Sequence, residues 1–211
     1  MTTMDSIESL QWRYATKKFD SEKNLETSQL ELLAQAFNLT ATSYGLQPCR
    51  LIVVQDQDLK EKMVPHSYGQ MQVKDASAVL VICTTAVDEQ YVKDYFSIVK
   101  KERDTPDEVI QPFQDFLTST FSKKESAEIE LWAKNQAYLI LGNLLTVCAQ
   151  QQIDSCPMEG FVPEKIDELL DLKNKGLKST LLLPVGYRAT DDLMSQLKKV
   201  RRPQQEMVSF L

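Results

Sequence analysis

The chain has 211 residues, 43% of them hydrophobic, which suffices for one full-sized core, so a single domain over 1–211 is expected. A formal net charge of -6 and a pI near 5.0 exclude a general reader of phosphate backbones, which carries net positive charge, so no nucleic-acid partner is expected. The only histidine, His66, cannot build a His-rich metal site, and it lies in a loop with nothing to single it out as a catalytic base.

In chain order, Ile7, Leu10 and Tyr14 recur at helical spacing after Asp5 and Ser6. A second helix is expected from Ser28, where a Ser-x-x-Glu box closes on Glu31 and Leu30, Leu33 and Phe37 continue the apolar stripe. Residues 39–48 hold hydroxyls, Gly45 and Pro48 and read as a loop feeding a buried strand, Leu51 to Val54. Two further buried strands are expected over Ser77 to Thr85 and Thr180 to Tyr187, with only helices between them. The helix from about Glu125 to Gln151 is apolar around too much of its surface for one stripe, so it is either central or part of a dimer interface. Its most apolar run, Tyr138 to Ala149, is too short for a bilayer, which needs roughly 20 residues. Met207 to Leu211 can form a short edge strand, on this chain's own sheet or on a partner's. Few strands, many helices and the long gap from Thr85 to Thr180 point to an α+β layer structure rather than alternating βαβ units.

Cys49, Cys83, Cys148 and Cys156 form no Cys-x-x-Cys pair and no signal peptide precedes the first helix, so a reduced, cytoplasmic protein without a membrane span is expected. The six glycines lie at least ten residues apart, which leaves no Gly-x-Gly-x-x-Gly, Walker or Gly-x-Ser-x-Gly motif. An anion must therefore be gripped by side chains, and positive charge is concentrated where this can happen. Four of the 24 basic residues fall within Lys198 to Arg202, and a second cluster runs from Arg13 to Lys18. Between them in sequence, Cys156-Pro157-Met158-Glu159-Gly160-Phe161 forms a turn able to aim backbone N–H groups at a ligand. Taken alone, that turn is an ordinary interhelix connection and the Lys198 cluster a solvated helix end; together they suggest an anionic cofactor held by remote segments.

These three clusters, in this order, resemble the FMN-dependent NAD(P)H nitroreductase family. The pieces are Arg13-x-x-x-Lys17-x-Phe19-Asp20, Thr42-Ser43-x-x-x-Gln47-Pro48, Tyr68-x-Gln70-x-Gln72-x-x-Asp75-Ala76-Ser77, the helix from Trp132 to Asn143, Pro157 to Phe161, Pro184-Val185-Gly186 and Lys199-x-Arg201-x-Pro203. The resemblance implies an α+β fold with a central mixed sheet, a long central helix and an intertwined homodimer whose two FMN sites lie at the subunit interface. By matching positions, Arg13, Lys199 and Arg201 are the expected phosphate ligands, the bidentate chemistry of guanidinium agreeing for the arginines. Lys17 is expected at the flavin N1 and O2 edge, Gln70 and Gln72 near the pyrimidine, and Pro157, Met158, Glu159 and Gly160 at N5 and O4. Thr42, Ser43 and Gly45 are expected from the partner subunit. Gln72 stands where some relatives carry lysine, Gly45 and Gly69 where they carry an amide side chain, and Ala15 where they carry a hydroxyl, so Ala15 can contribute backbone only.

The activity so implied is a ping-pong transfer of hydride from NADPH or NADH through flavin N5 to a small aromatic acceptor, such as a nitroaromatic, a nitrofuran or a quinone, with no side-chain nucleophile. Tyr44, Tyr68, Phe113 and Phe116 are expected in the substrate pocket wall, although helix-core packing explains each equally well. A relative with a dedicated dihydropteridine, enone or halogenated substrate, or a flavin binder without turnover, remains open at this point.

Overall fold

The computed structural model describes residues 5–211. Its centre is a sheet of order β1-β2-β4-β3, built from β1 (Cys49–Val54), β2 (Ala78–Thr85), β4 (Leu177–Gly186) and the two-residue β3 (Asp154–Ser155). Leu51 faces Ile82, Leu80 faces Leu183 and Asp154 faces Gly186. All neighbouring strands run antiparallel, where a mixed sheet is expected; the parallel contact among the described residues is the isolated bridge between Ala15 and Ser155. The sequence reading has helices alone between β2 and β4, but β3 lies there too, too short to show any periodicity.

The strands read as unbroken apolar runs because both faces of the sheet are covered. Ala78, Leu80, Ile82, Leu181, Leu183 and Val185 pack beneath α2 (Thr27–Leu39) and α7 (Ser126–Gln150), against Leu30, Leu33, Ile140, Leu144 and Cys148. Val79, Val81, Cys83 and Leu182 face the other way, toward Met63 of α3 (Gln57–Met63), Val73 of α4 (Gln72–Asp75) and Ile166 of α8 (Pro163–Leu169). The antiparallel pair α5 (Glu89–Arg103) and α6 (Asp107–Ser122) builds a separate core from Val92, Phe96, Ile110, Leu117 and Phe121, partly against Trp132 of α7.

Three local expectations change. In α1 (Ser6–Trp12) Ile7 and Leu10 are 59% and 44% exposed, Ser9 is the buried residue, and Tyr14 lies beyond the helix end. The cap of α2 is Glu26 rather than Ser28: its N–H donates to Gln29 Oε1 at 2.9 Å, and Ser28 Oγ turns to the Glu26 carboxylate. Residues 198–202 are not a helix end, and the tail forms α9 (Gln204–Met207) and then exposed irregular chain, with no strand partner among the described residues.

Candidate functional site

The turn after β3 is held by the edge of β4: Cys156 N donates to Pro184 O at 3.0 Å, and Met158 and Leu182 exchange backbone bonds of 2.8 and 3.1 Å. Beyond Met158 the chain leaves the sheet. The N–H groups of Glu159 and Gly160 meet no acceptor among the described residues, whereas Phe161 and Val162 are tied back to Glu159 O and His66 O. The Gly160 carbonyl accepts from Gln70 Nε2 at 2.8 Å, and a Cβ at Gly160 would lie 2.9 Å from that nitrogen, so a larger residue there would displace the Gln70 amide. Gln70 Oε1 in turn accepts from Gln72 Nε2 at 3.3 Å. Both ends of the Gln70 amide are thus engaged inside the protein. Tyr68 stands beside Gly160 with φ +53° and 69% exposure.

Lys17 reaches the same place: its Nζ lies 3.8 Å from Cys156 Sγ, and Gln72 Nε2 lies 3.9 Å from it. Burial pushes the Cys156 thiol up, partly offset by the Lys17 ammonium and the Gln72 contact, so this cysteine stays a neutral thiol. Ala15 bridges Ser155, which carries the segment from Arg13 to Lys17 alongside the turn. Glu159 accepts a hydrogen bond from the Tyr138 hydroxyl, and that bond, with burial, raises the phenol to about 12.

Arg13, Lys199 and Arg201 converge next to this turn. Lys199 Nζ donates to the Arg13 carbonyl. Burial lowers the pKa of both Arg13 and Lys199, and mutual repulsion with Arg201 lowers them further. None of these cations forms an ion pair with a carboxylate among the described residues, and Arg13 Nε is buried without a hydrogen-bond partner. Like charges gathered at such cost, with an orphaned donor among them, are suited to hold an anion.

The remaining expected site residues lie elsewhere. Ser43 N donates to Oε1 of the buried Gln136 at 2.8 Å, and Thr42 Oγ1 accepts from Gln47 N at 3.0 Å. Gly45, at φ +73°, has the Tyr95 hydroxyl where a side chain would begin. Tyr44 packs edge-on against Phe121 at 6.2 Å, and Phe113 stacks on Phe116 at 6.2 Å. This group sits by the N-terminal half of α7, while Arg13 lies near Cys148 at its C-terminal end. From Gln136 to Cys148 the helix axis runs about 18 Å at 1.5 Å per residue. One chain therefore brings Arg13, Ala15, Lys17, Tyr68, Gln70, Gln72, residues 157–160, Lys199 and Arg201 together, and leaves Thr42, Ser43, Tyr44, Gly45, Phe113 and Phe116 apart from them. A cleft of about 1180 Å³ between the start of α7 and α8 is lined by none of these residues.

The sequence profile of the Nitroreductase family matches residues 10–187, from within α1 to just past β4. The chain belongs to the nitroreductase family. A Staphylococcus haemolyticus protein bearing the name "Putative NAD(P)H nitroreductase" is 32% identical over 214 residues, covering 97% of this chain and 96% of that protein. Among solved structures, an Exiguobacterium sibiricum nitroreductase in complex with FMN superposes with a TM-score of 0.84 at 18% identity, over 100% of this chain and 99% of that one. An enone reductase of gut-bacterial fatty acid saturation superposes with a TM-score of 0.82 at 18% identity, over 100% of both chains. These superpositions show the nitroreductase fold. No described helix of this family member is long and apolar enough to cross a membrane.

Sequence reasoning missed Gln136, Tyr138 and two buried carboxylates, Asp154 and Asp192. Asp192 accepts from Tyr14 Oη and Lys17 N, each at 2.9 Å, and from Lys18 N at 3.2 Å. Asp154 accepts from Arg188 Nε at 2.7 Å and Arg188 N at 2.9 Å. The one local clue is Asp192-x-x-Ser195, a turn-capping pattern; the long-range partners leave no mark in the sequence.

Proposed function

We propose that this nitroreductase is an FMN-dependent oxidoreductase that takes hydride from NADPH or NADH and delivers it to a nitroaromatic, nitrofuran or quinone in a ping-pong cycle. The observation that carries the reading is the uncompensated cluster of Arg13, Lys199 and Arg201 with the orphaned Arg13 Nε, set beside two unpaired backbone N–H groups at Glu159 and Gly160. A phosphate answers the first and the acceptor edge of a flat heteroaromatic ring answers the second, which are the two ends of FMN. Bound FMN supplies the two-electron chemistry, which is why no nucleophile and base pair is needed.

The chain's own residues bind and orient. Arg13, Lys199 and Arg201 hold the phosphate; Lys17 places positive charge at the pyrimidine edge; the buried Gln72, locked through Gln70 to Gly160, keeps the turn in register with that edge. Thr42, Ser43 and Gly45 reach a cofactor site only from a second copy of the chain, which supports a homodimer with composite sites. Tyr68 from one copy, with Tyr44, Phe113 and Phe116 from the other, would wall the acceptor pocket. The four cysteines are free and buried, which fits a reducing, cytoplasmic setting. The superposable enone reductase supports a second reading, a dedicated enone acceptor on the same cofactor chemistry.

The visible spectrum of the purified protein before and after anaerobic NADPH tests this. Flavin bands that bleach are expected; bands that persist would point to a binder without turnover, and no flavin uptake from added FMN would end the cofactor reading. Arg13→Ala with Arg201→Ala should yield folded protein that retains FMN weakly, and unchanged affinity would remove the phosphate assignment.

A further inference from the structure

Asp192 belongs to neither basic cluster, yet it joins them. It is 3% exposed, and its two carboxylate oxygens serve different segments of the chain. Oδ2 accepts from Tyr14 Oη, Lys17 N and Lys18 N, fixing the backbone that carries Arg13 and Lys17. Oδ1 accepts from Met194 N at 3.1 Å and so starts the 3-10 turn Leu193–Gln196, from which the chain runs straight into Lys199 and Arg201. The Lys199 ammonium then closes the ring on the Arg13 carbonyl. The segments so joined are more than 170 residues apart in sequence. A cluster of mutually repelling cations has no tendency to assemble by itself, so something else must hold it in place.

We propose that Asp192 is the positioning residue of the anion site, its carboxylate setting the distance between the Arg13 and Lys199–Arg201 segments so that they present one phosphate-shaped receptor. The inference rests on the FMN reading above. It makes a prediction opposite in sign to simple electrostatics: removing a negative charge from beside a phosphate site tightens phosphate binding if charge alone matters, and weakens it if position matters.

The test is the affinity of the flavin-freed protein for FMN and for riboflavin, followed by flavin fluorescence, in wild type, Asp192→Asn and Tyr14→Phe. Riboflavin lacks the phosphate and reports everything else in the site. Asp192→Asn should lose roughly tenfold to a hundredfold in FMN affinity, the scale of a displaced charge-assisted contact, with a clearly smaller loss for riboflavin, which meets the Asp192-held segments only through Lys17. Tyr14→Phe, which keeps the charge and removes one donor, should fall in the same direction by a smaller factor, and it carries the test if the asparagine variant does not fold. Equal losses for both ligands would reduce Asp192 to a structural residue, and tighter or unchanged FMN binding would overturn the proposal outright. Wild type with no preference for FMN over riboflavin would instead overturn the phosphate assignment on which it rests.

Discussion

Arg188 illustrates how much of this site is built by groups that touch no ligand in the reading above. Its guanidinium lies 4.2 Å from the Trp12 ring centroid and 4.6 Å from that of Tyr14, and it is spent on Asp154, a carboxylate that is 5% exposed. Arg188→Met leaves that carboxylate buried without its counter-ion and should cost about 3–5 kcal/mol in urea unfolding, most of it recovered by adding Asp154→Asn; full stability of the single variant would show the pair to be dispensable. Asp192 gives a pH signature. Burial pushes its pKa up, but hydrogen bonds from Lys17, Tyr14, Lys18 and Met194 outweigh it and hold the group below the ordinary carboxylate value. A depressed folded-state pKa contributes stability that is whole above the unfolded value, near pH 4, and is lost as the pH falls through the folded one. The stability gap between wild type and Asp192→Asn should therefore stay constant from pH 5 to 8 and narrow below about pH 4; a gap that widens in acid would contradict the sign. The basic clusters at Arg13 to Lys18 and Lys198 to Arg202 were legible because clustered charge is visible in a linear string. Asp192 was not, because three of its four donors lie at the far end of the chain.

At the scale of elements, what could be read was what both faces of the sheet impose. β1, β2, β4 and α7 stand within a few residues of their expected limits, since continuous apolar runs leave little choice of register. In α1 the helical spacing of Ile7 and Leu10 marks a real helix, but these residues face outward and the buried position is a serine. Spacing shows that a face exists without showing what covers it. In the loop before β1, Gly45 at φ +73° faces the Tyr95 hydroxyl of α5, which stands where a side chain would begin. Gly45→Ala should lose about 1–3 kcal/mol from backbone strain and collision together, and Tyr95→Phe in the same chain should restore the collision part while leaving the strain. Thermal unfolding of the two variants separates these contributions. If the second change restores nothing, the hydroxyl is not what confines Gly45.

For the whole molecule, the exposed apolar surface and the separation of the candidate site residues both support the proposed homodimer. Leu131, Tyr138 and Leu139 of α7 are 61%, 37% and 55% exposed, Ile7 and Leu10 of α1 lie outward, and Phe210 in the tail is 91% exposed. A helix with its inner face on the sheet and apolar residues on its outer face is unfinished as a monomer surface. Ser43 meets α7 at Gln136, near its middle, while Arg13 lies near Cys148 toward its C-terminal end, so a second copy packed antiparallel on α7 would bring the Ser43 loop of one chain toward the Arg13 cluster of the other, twice, by the one two-fold axis. Removing Val208 to Leu211 should weaken the dimer in sedimentation, and an unaltered dimer would show that the tail stays on its own subunit. Leu139→Glu tests the larger claim, because it introduces a charge into the apolar α7 face without touching Arg13, Lys17, Lys199 or Arg201. If the cofactor site is composite, the variant should sediment as a monomer at micromolar concentration and lose FMN affinity in proportion to the dissociated fraction, recovering it as protein concentration is raised. Dissociation and cofactor loss then follow one concentration curve. A monomer that keeps wild-type FMN affinity would mean that a single chain completes the site, and Ser43 and its neighbours would have to be given another role.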